Sequence, residues 1–304
     1  MTTSPMSEHL RQLFAGLREV ARPVLPKRWR AGVAIVPVLR LGGVIGFSTP
    51  LRPGLTMSGM ARLIERAFTQ SGARAVALVI NSPGGSAVQS HMIHQRIRQL
   101  AGEKKLPVIA FVEDVAASGG FMIACAADEI VCDPSSIIGS IGVVGASFGF
   151  DAAIKRLGIE RRVYTAGEHK VTLDPFLPED PEDVARLRAI QLEIHRGFID
   201  LVKASRGARL TGPEKTLFSG EYWTAATALG YGLVDRLGDV RSVLRERFGE
   251  DVLMPVVAPA RSWFGRPAPG VRGDAVSDII GRVGLADEIV SAIEARAMWA
   301  RYGL

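Results

Sequence analysis

Residues 75–120 read AVALVINSPGGSAVQSHMIHQRIRQLAGEKKLPVIAFVEDVAASGG. This stretch contains two apolar runs, at 75–80 and 107–112, and each run leads through a glycine-rich loop into a helical pattern. Runs that are apolar throughout, without regular polar alternation, are typical of strands buried on both faces. Strand–loop–helix units of this kind predict an α/β fold with largely parallel sheets flanked by helices.

The flanking sequence extends the same pattern. Further strands are predicted at VAIVPV (33–38), GGVIGF (42–47), EIVCD (129–133), SIIGSIGVVG (136–145) and RRVYTA (161–166). A helix is predicted over 57–70, and another from Ser118 to Ala127. A long helix should begin after Asp180, because a capping acid is followed there by Pro181, and it should end near Gly207.

The amino-acid composition excludes several classes of protein. The 304 residues are 47% hydrophobic and 22% charged, with a net charge of +6, which excludes disorder and a densely basic nucleic-acid binder. No run approaches the roughly 20 apolar residues of a membrane-spanning helix, and no secretory signal is evident. Two cysteines, Cys125 and Cys132, are too few for a disulfide scaffold. A reducing, cytoplasmic location is therefore expected.

The chain divides into four predicted parts. Residues 1–32 form a basic amphipathic helix, which either packs on its own subunit or a neighbour, or lies peripherally on the inner membrane surface. Residues 33–257 form the main domain, 258–274 a linker rich in Pro, Gly and Arg, and 275–304 an amphipathic helix.

The two glycine-rich loops, NSPGG at 81–85 and AASGG at 116–120, carry the candidate chemistry. Both follow predicted strands, and reacting groups on parallel sheets gather beyond the carboxyl ends of the strands. Ser118 at a helix start could be a nucleophile, with the amides of Gly85 and Gly119 as oxyanion donors. The alternative is that Ser118 only caps the helix and the glycines only form turns.

A serine nucleophile needs a base, and none of the five histidines lies in a recognisable triad context. His91 and His94 lie three residues apart on a helix but have no evident third metal ligand, so no metal site is expected. Lys170 is the other candidate. A lysine has an ordinary pKa of about 10.4 and serves as a base only when burial and a hydrogen-bonding partner favour its neutral form. The alternative is a solvated loop lysine.

Ser147 is a competing nucleophile, because GASFG at 145–149 matches the G-x-S-x-G nucleophile elbow. That architecture requires an acid and then a histidine farther along the chain. Only His169 and His195 follow Ser147. We therefore reject Ser147 as the nucleophile.

The motifs NSPGG, DVAASGG, IGSIGV and G-x-x-K occur in that order, and together they resemble the signal peptide peptidase A family of serine peptidases. The resemblance covers roughly residues 33–248. It implies that Ser118 is the nucleophile and Lys170 the general base of a Ser/Lys dyad. It further implies that Gly85 and Gly119 form the oxyanion hole, and that Ser140 hydrogen-bonds the lysine amine and orients it.

The resemblance also implies a Clp protease/crotonase superfold, a spiral of ββα units. Single-domain chains of this family assemble into homo-oligomeric rings with sites shared between subunits. The implied substrates are peptides or unstructured chains, including remnant signal peptides, and no cofactor or nucleic acid is implied. Many members carry an N-terminal membrane anchor, and this chain is expected to be a short form without one.

Two rival functions remain open. An acyl-CoA-processing crotonase relative would share the superfold and the glycine-rich loops, and would use acids such as Glu113 or Asp114. A non-catalytic scaffold associated with the membrane would keep the fold without turnover.

Overall fold

A seven-stranded sheet forms the centre of the molecule in a computed structural model, which describes residues 33–46, 55–167, 169–258, 292–293 and 295–304. Five strands lie in the order β1-β2-β3-β4-β7 and pair in parallel; β5 pairs in parallel with β3, and β6 pairs antiparallel with β5. The strands are β1 (Val38–Gly42), β2 (Val76–Ser82), β3 (Val108–Ala117), β4 (Glu129–Cys132), β5 (Ile137–Gly139), β6 (Tyr222–Thr224) and β7 (Arg236–Leu237).

Helices flank the sheet. They are α1 (Met57–Phe68), α2 (Ala87–Lys104), α3 (Gly119–Ala124), α4 (Asp151–Arg156), α5 (Pro181–Arg206), α6 (Glu214–Leu217), α7 (Ala225–Gly230) and α8 (Val240–Phe248). The side chains of Thr56, Ser86 and Asp180 cap α1, α2 and α5 by accepting backbone N–H groups of the first turn, which fixes where these helices begin. Among the described residues, no helix has the length and apolar character needed to cross a membrane.

The core lies on both faces of the sheet. Alternate residues of β2 face opposite sides: Leu78 and Ile80 join the larger apolar cluster with α1, α2, α3 and α5, whereas Ala77 and Val79 join a smaller one with α8. The predicted α/β class, with a largely parallel sheet of doubly buried strands, is confirmed.

The register between β2 and β3 shifts near the carboxyl ends of these strands. Ile80 lies opposite Val112, but Ser82 lies opposite Ala116, so β3 contains two extra residues over this interval. Glu113 and Asp114 lie in this interval, and their partners lie on β1 and β2. Glu113 accepts hydrogen bonds from Arg40 at 2.7 and 2.8 Å, and Asp114 accepts one from the side-chain amide of Asn81.

Four predicted strands are wrong in extent. Of the strand predicted at 42–47, only Gly42 lies in a strand, as the last residue of β1, and Ile45 forms isolated bridges; residue 47 lies outside the described residues. The strand predicted at 33–38 is instead β1 at 38–42, because Pro37 has no N–H and the preceding residues form only an isolated bridge at Ile35. The strand predicted at 136–145 ends at Gly139, because Ser140 has φ of +53° and leaves the ladder. Residues 161–166 form no strand.

The predicted terminal parts fall largely outside the described residues. The N-terminal helix at 1–32 lies wholly outside them, as does the linker except for residue 258. Of the predicted C-terminal helix, residues 292–293 and 295–304 are described, and 292–293 and 295–300 are helical.

Candidate active site

The two glycine-rich loops meet at the carboxyl ends of β2 and β3. Gly84 has φ of +102°, and a Cβ atom added to it would lie 2.8 Å from the Cβ of Ser118 and 2.9 Å from the Ala117 carbonyl oxygen. Any side chain at position 84 would therefore displace Ser118. The expected convergence of 81–85 and 116–120 is present in the structure.

Ser118 has a strained backbone and a hydroxyl that caps nothing. It precedes α3 with φ of +52° and ψ of −121°, a region that costs a non-glycine residue about 1–3 kcal/mol. Its side chain makes no capping hydrogen bond, unlike those of Thr56 and Ser86. The alternative in which Ser118 serves only as a helix cap therefore lacks the bond that defines a cap.

Two backbone amides beside this hydroxyl are suited to receiving negative charge. The Gly84 carbonyl and the Ser86 amide pair with Ile45 at 2.8 Å each, so the Gly85 N–H, between them, points away from Ile45. Gly119 is the first residue of α3, where an N–H has no acceptor within the helix. A Cβ on Gly85 would overlap the Ile45 backbone, so position 85 requires glycine.

Ser140 lies on the turn that follows β5. It is 6% exposed, has φ of +53°, and donates its backbone N–H to the Glu221 carbonyl at 2.6 Å. The carbonyl of the next residue, Ile141, is 3.0 Å from Nε2 of His195 on α5. His195 thus anchors the turn that carries Ser140, a role that its place in the sequence does not indicate.

Lys170 lies apart from the other candidates, in a segment at 143–180 that we call the arm. Lys170 is exposed, and its backbone N–H donates to Gly167 at 3.2 Å. Within the described part of the chain, no contact joins its side chain to Ser118 or Ser140. One copy of the chain therefore brings Ser118, Gly85 and Gly119 together but leaves Lys170 in solvent.

The arm folds on itself and exposes apolar side chains. The Phe150 N–H donates to the Pro175 carbonyl at 2.6 Å, and Arg161 pairs with Asp174 at 2.9 Å. Large apolar side chains of the arm and of the adjoining part of α5 are exposed: Val144, Phe148, Leu157, Ile159, Tyr164, Ile190, Leu192 and Ile194. Contiguous exposed apolar patches are typical of surfaces that bind another chain.

The competing residues have other surroundings. Ser147 is exposed in a segment without regular structure, eight residues beyond the end of β5, and so does not lie on a strand-to-helix elbow. His91 and His94 stack in parallel with their ring centroids 6.5 Å apart. The acids of the crotonase alternative both accept hydrogen bonds: Glu113 from Arg40, and Asp114 from Asn81.

Comparisons with known proteins identify related chains. A family model described as peptidase family S49 matches residues 101–249. A protein of Brucella abortus named Na+/H+ antiporter NhaA is 52% identical over 284 residues, which are 92% of this chain and 38% of that protein. A putative protease of Methanocaldococcus jannaschii is 33% identical over 173 residues, which are 57% of this chain and 55% of the relative.

Two further similarities concern a plant protein and a solved structure. The chloroplastic serine protease SPPA of Arabidopsis thaliana is 32% identical over 229 residues, 70% of this chain and 32% of the relative. A mutant of the 1510-N membrane-bound stomatin-specific protease overlays with a TM-score of 0.44 at 20% identity, covering 75% of this chain and 99% of that one. The chain spans 32–55% of the length of the three relatives matched by sequence.

Proposed function

We propose that the chain is a serine endopeptidase of peptidase family S49 with a Ser/Lys dyad, because residues 101–249 match the model of that family and the motifs resemble signal peptide peptidase A. Ser118 is the nucleophile and Lys170 the general base. The observation that carries the proposal is the backbone of Ser118, held at φ of +52° against Gly84, with a hydroxyl that makes no capping bond. Strain of this kind is concentrated at active sites.

Acylation uses the groups at the two loops. The neutral Lys170 amine takes the proton of the Ser118 hydroxyl as Oγ attacks the carbonyl carbon of the scissile peptide. The oxygen that becomes negative accepts the N–H groups of Gly85 and Gly119. The lysine ammonium then gives its proton to the leaving amine, and the carbon–nitrogen bond breaks.

Deacylation reuses the same base. Lys170 takes a proton from water, the hydroxide attacks the Ser118 ester, and the ammonium returns the proton to Oγ. The net reaction consumes one water molecule and needs no cofactor. Ser140, buried on the turn after β5, accepts a hydrogen bond from the lysine ammonium and orients it.

The position of Lys170 favours a site shared between two copies of the chain. A lysine in solvent stays protonated, so catalysis requires that its amine be covered. The exposed apolar side chains of the arm, among them Phe148 and Tyr164, supply a surface that a second copy would bury. We therefore place Lys170 of one subunit beside Ser118 of the next, in a homo-oligomeric ring.

The substrates that we propose are peptides or unstructured chains, with remnant signal peptides as one source. The Brucella relative carries the name of an antiporter, but this chain matches only 38% of the length of that protein. The matched part of this chain includes most of residues 101–249, the S49 region. The peptidase proposal concerns this matched part.

A fluorophosphonate probe followed by mass-spectrometric site mapping tests the proposal. We expect the probe to label Ser118, and we expect Ser118→Ala to lose both labelling and peptide cleavage. Ser147→Ala is the matched control and should keep both. Cleavage at the wild-type rate by Ser118→Ala would refute the assignment of the nucleophile. Thermal stabilisation of the protein by coenzyme A would favour the crotonase alternative. Absence of probe labelling in the wild type would favour the non-catalytic scaffold.

A further inference from the structure

The backbone of Gly139 supports Ser118 directly. The Ser118 N–H donates to the Gly139 carbonyl at 2.9 Å, across the pairing of β3 with β5. Because Ser118 has a strained φ, this hydrogen bond helps to define the direction in which its side chain points. A shift of Gly139 would therefore be transmitted to the nucleophile.

The indole ring of Trp223 lies against Gly139. Gly139 has φ of +111°, and a Cβ atom added there would lie 2.9 Å from Cζ3 of Trp223 and 3.0 Å from the Glu221 carbonyl oxygen. Glu221 and Trp223 lie on either side of Tyr222, the residue paired with Gly139 across β5 and β6. The Glu221 carbonyl also accepts the Ser140 N–H at 2.6 Å.

Trp223 is itself held in place. Its ring meets the ring of Tyr231 edge-on, with centroids 5.3 Å apart, and it packs against the larger core cluster. Tyr231 in turn lies against Gly212, where an added Cβ would approach its ring to 2.9 Å. The ring that covers Gly139 therefore has support on its far side.

The neighbouring residue on β6 provides a comparison. Tyr222 is 47% exposed, and its hydroxyl donates to the Arg301 carbonyl at 3.1 Å. Its ring packs edge-on against Tyr302. Successive side chains of a strand point to opposite faces, so the Tyr222 ring lies on the face away from Trp223.

We propose that Trp223 is a positioning residue for the candidate nucleophile: its ring keeps Gly139 in place, and through the Gly139 carbonyl it orients Ser118. Trp223 touches neither substrate nor reacting atoms. The catalytic part of this inference rests on the proposed peptidase function, whereas the positioning of the Ser118 amide does not.

The kinetic test compares Trp223→Ala, Trp223→Phe and Tyr222→Ala with the wild type. We expect Trp223→Ala to lower kcat and the rate of fluorophosphonate labelling by about tenfold or more, with KM changed less than about threefold. Trp223→Phe should recover most of the rate, because a planar ring still covers Gly139. Tyr222→Ala should react at close to the wild-type rate. If Trp223→Ala fails to fold, Trp223→Leu takes its place.

Hydrogen exchange tests the positioning without reference to catalysis. We expect the Ser118 amide to exchange about tenfold faster in Trp223→Ala than in the wild type or in Tyr222→Ala, because its acceptor is no longer held. Wild-type kcat together with wild-type exchange in a folded Trp223 variant would overturn the inference. If wild-type Ser118 never reacts with the probe, the peptidase proposal fails and the exchange rates alone decide the positioning role.

Discussion

Arg206, which is fully buried, donates hydrogen bonds to both carboxylate oxygens of Asp235 at 2.8 Å. The pair joins the end of α5 to the residue before β7. Burial opposes the charge on Asp235, but the hydrogen bonds from Arg206 and from the Ile130 N–H prevail and hold the pKa of the carboxyl below its ordinary value. The charge of Arg206 is thus compensated inside the protein.

Removing the acid from this pair should destabilise the fold strongly. We expect Asp235→Ala to lower the free energy of unfolding by about 3–5 kcal/mol, because it leaves Arg206 buried without a counter-charge. Glu160→Ala, which breaks the exposed pair with Arg162, is the control and should change the free energy by less than about 1 kcal/mol. Urea unfolding curves measure both, and equal losses would contradict the prediction.

Position 84 should tolerate no side chain. We expect Gly84→Ala to lower kcat by about 100-fold, because the added Cβ would displace Ser118 and would sit on a backbone with φ of +102°. Gly102→Ala is the control: Gly102 lies on α2 with open space around it, and alanine there should stabilise the helix by about 0.5–1 kcal/mol. Steady-state peptide cleavage and thermal melts measure the two variants, and unchanged kcat in Gly84→Ala would be inconsistent with the contact.

Mixed oligomers should show whether the dyad is shared. Ser118→Ala and Lys170→Ala subunits should each be inactive alone. When co-assembled in equal amounts they should recover about a quarter of the wild-type activity, since about a quarter of the interfaces then combine an intact serine with an intact lysine. Mixtures of Ser118→Ala with the double variant should stay inactive. Absence of recovery in verified mixed oligomers would place both groups in one subunit.

Acid should destabilise the protein partly through His94. Burial, and then the charge of His91, lower the pKa of His94 to about 4 from its ordinary 6.5. Between these values the unfolded state binds the proton and the folded state does not, so stability is lost as the pH falls from 6.5 towards 4. We expect His94→Gln to lose less stability over this interval than the wild type in urea unfolding at several pH values. His169→Gln, which replaces an exposed histidine, is the control, and identical slopes for wild type and His94→Gln would contradict the assignment.

The sequence predicts the local units that build the site. Apolar runs that end in glycine-rich loops correctly predict β2 and β3, and with them the position of the loops at 81–85 and 116–120 beyond the strand ends, because strand, turn and helix signals lie within a few residues of one another. The runs that contain Pro37 or continue past Ser140, which has a positive φ, predict strand where the structure has none. The spacing of apolar residues alone does not distinguish a strand from an apolar segment, such as that around Ile35, that forms only isolated bridges with other segments.

Long-range contacts are the part that the sequence does not predict. Trp223 is 84 residues from Gly139, and His195 is 54 residues from Ile141, so no local pattern links them. The partner of Lys170 is a harder case, because one copy of the chain leaves that side chain in solvent. In the site that we propose, a second subunit covers Lys170, and a contact between subunits has no signature in the spacing of a single chain.

The register shift between β2 and β3 means that the folding chain must select one of two alignments of these strands. Sliding β3 by two residues along β2 would preserve the alternation of side chains between the two faces of the sheet, so the in–out pattern by itself does not distinguish the two alignments. Such a slip would carry the serine roughly 7 Å past its glycine neighbour. The contacts of Glu113 with Arg40 and of Asp114 with Asn81 exist in only one alignment. The side chains of Arg40, Glu113, Asn81 and Asp114 therefore favour the alignment of β3 that places Ser118 beside Gly84.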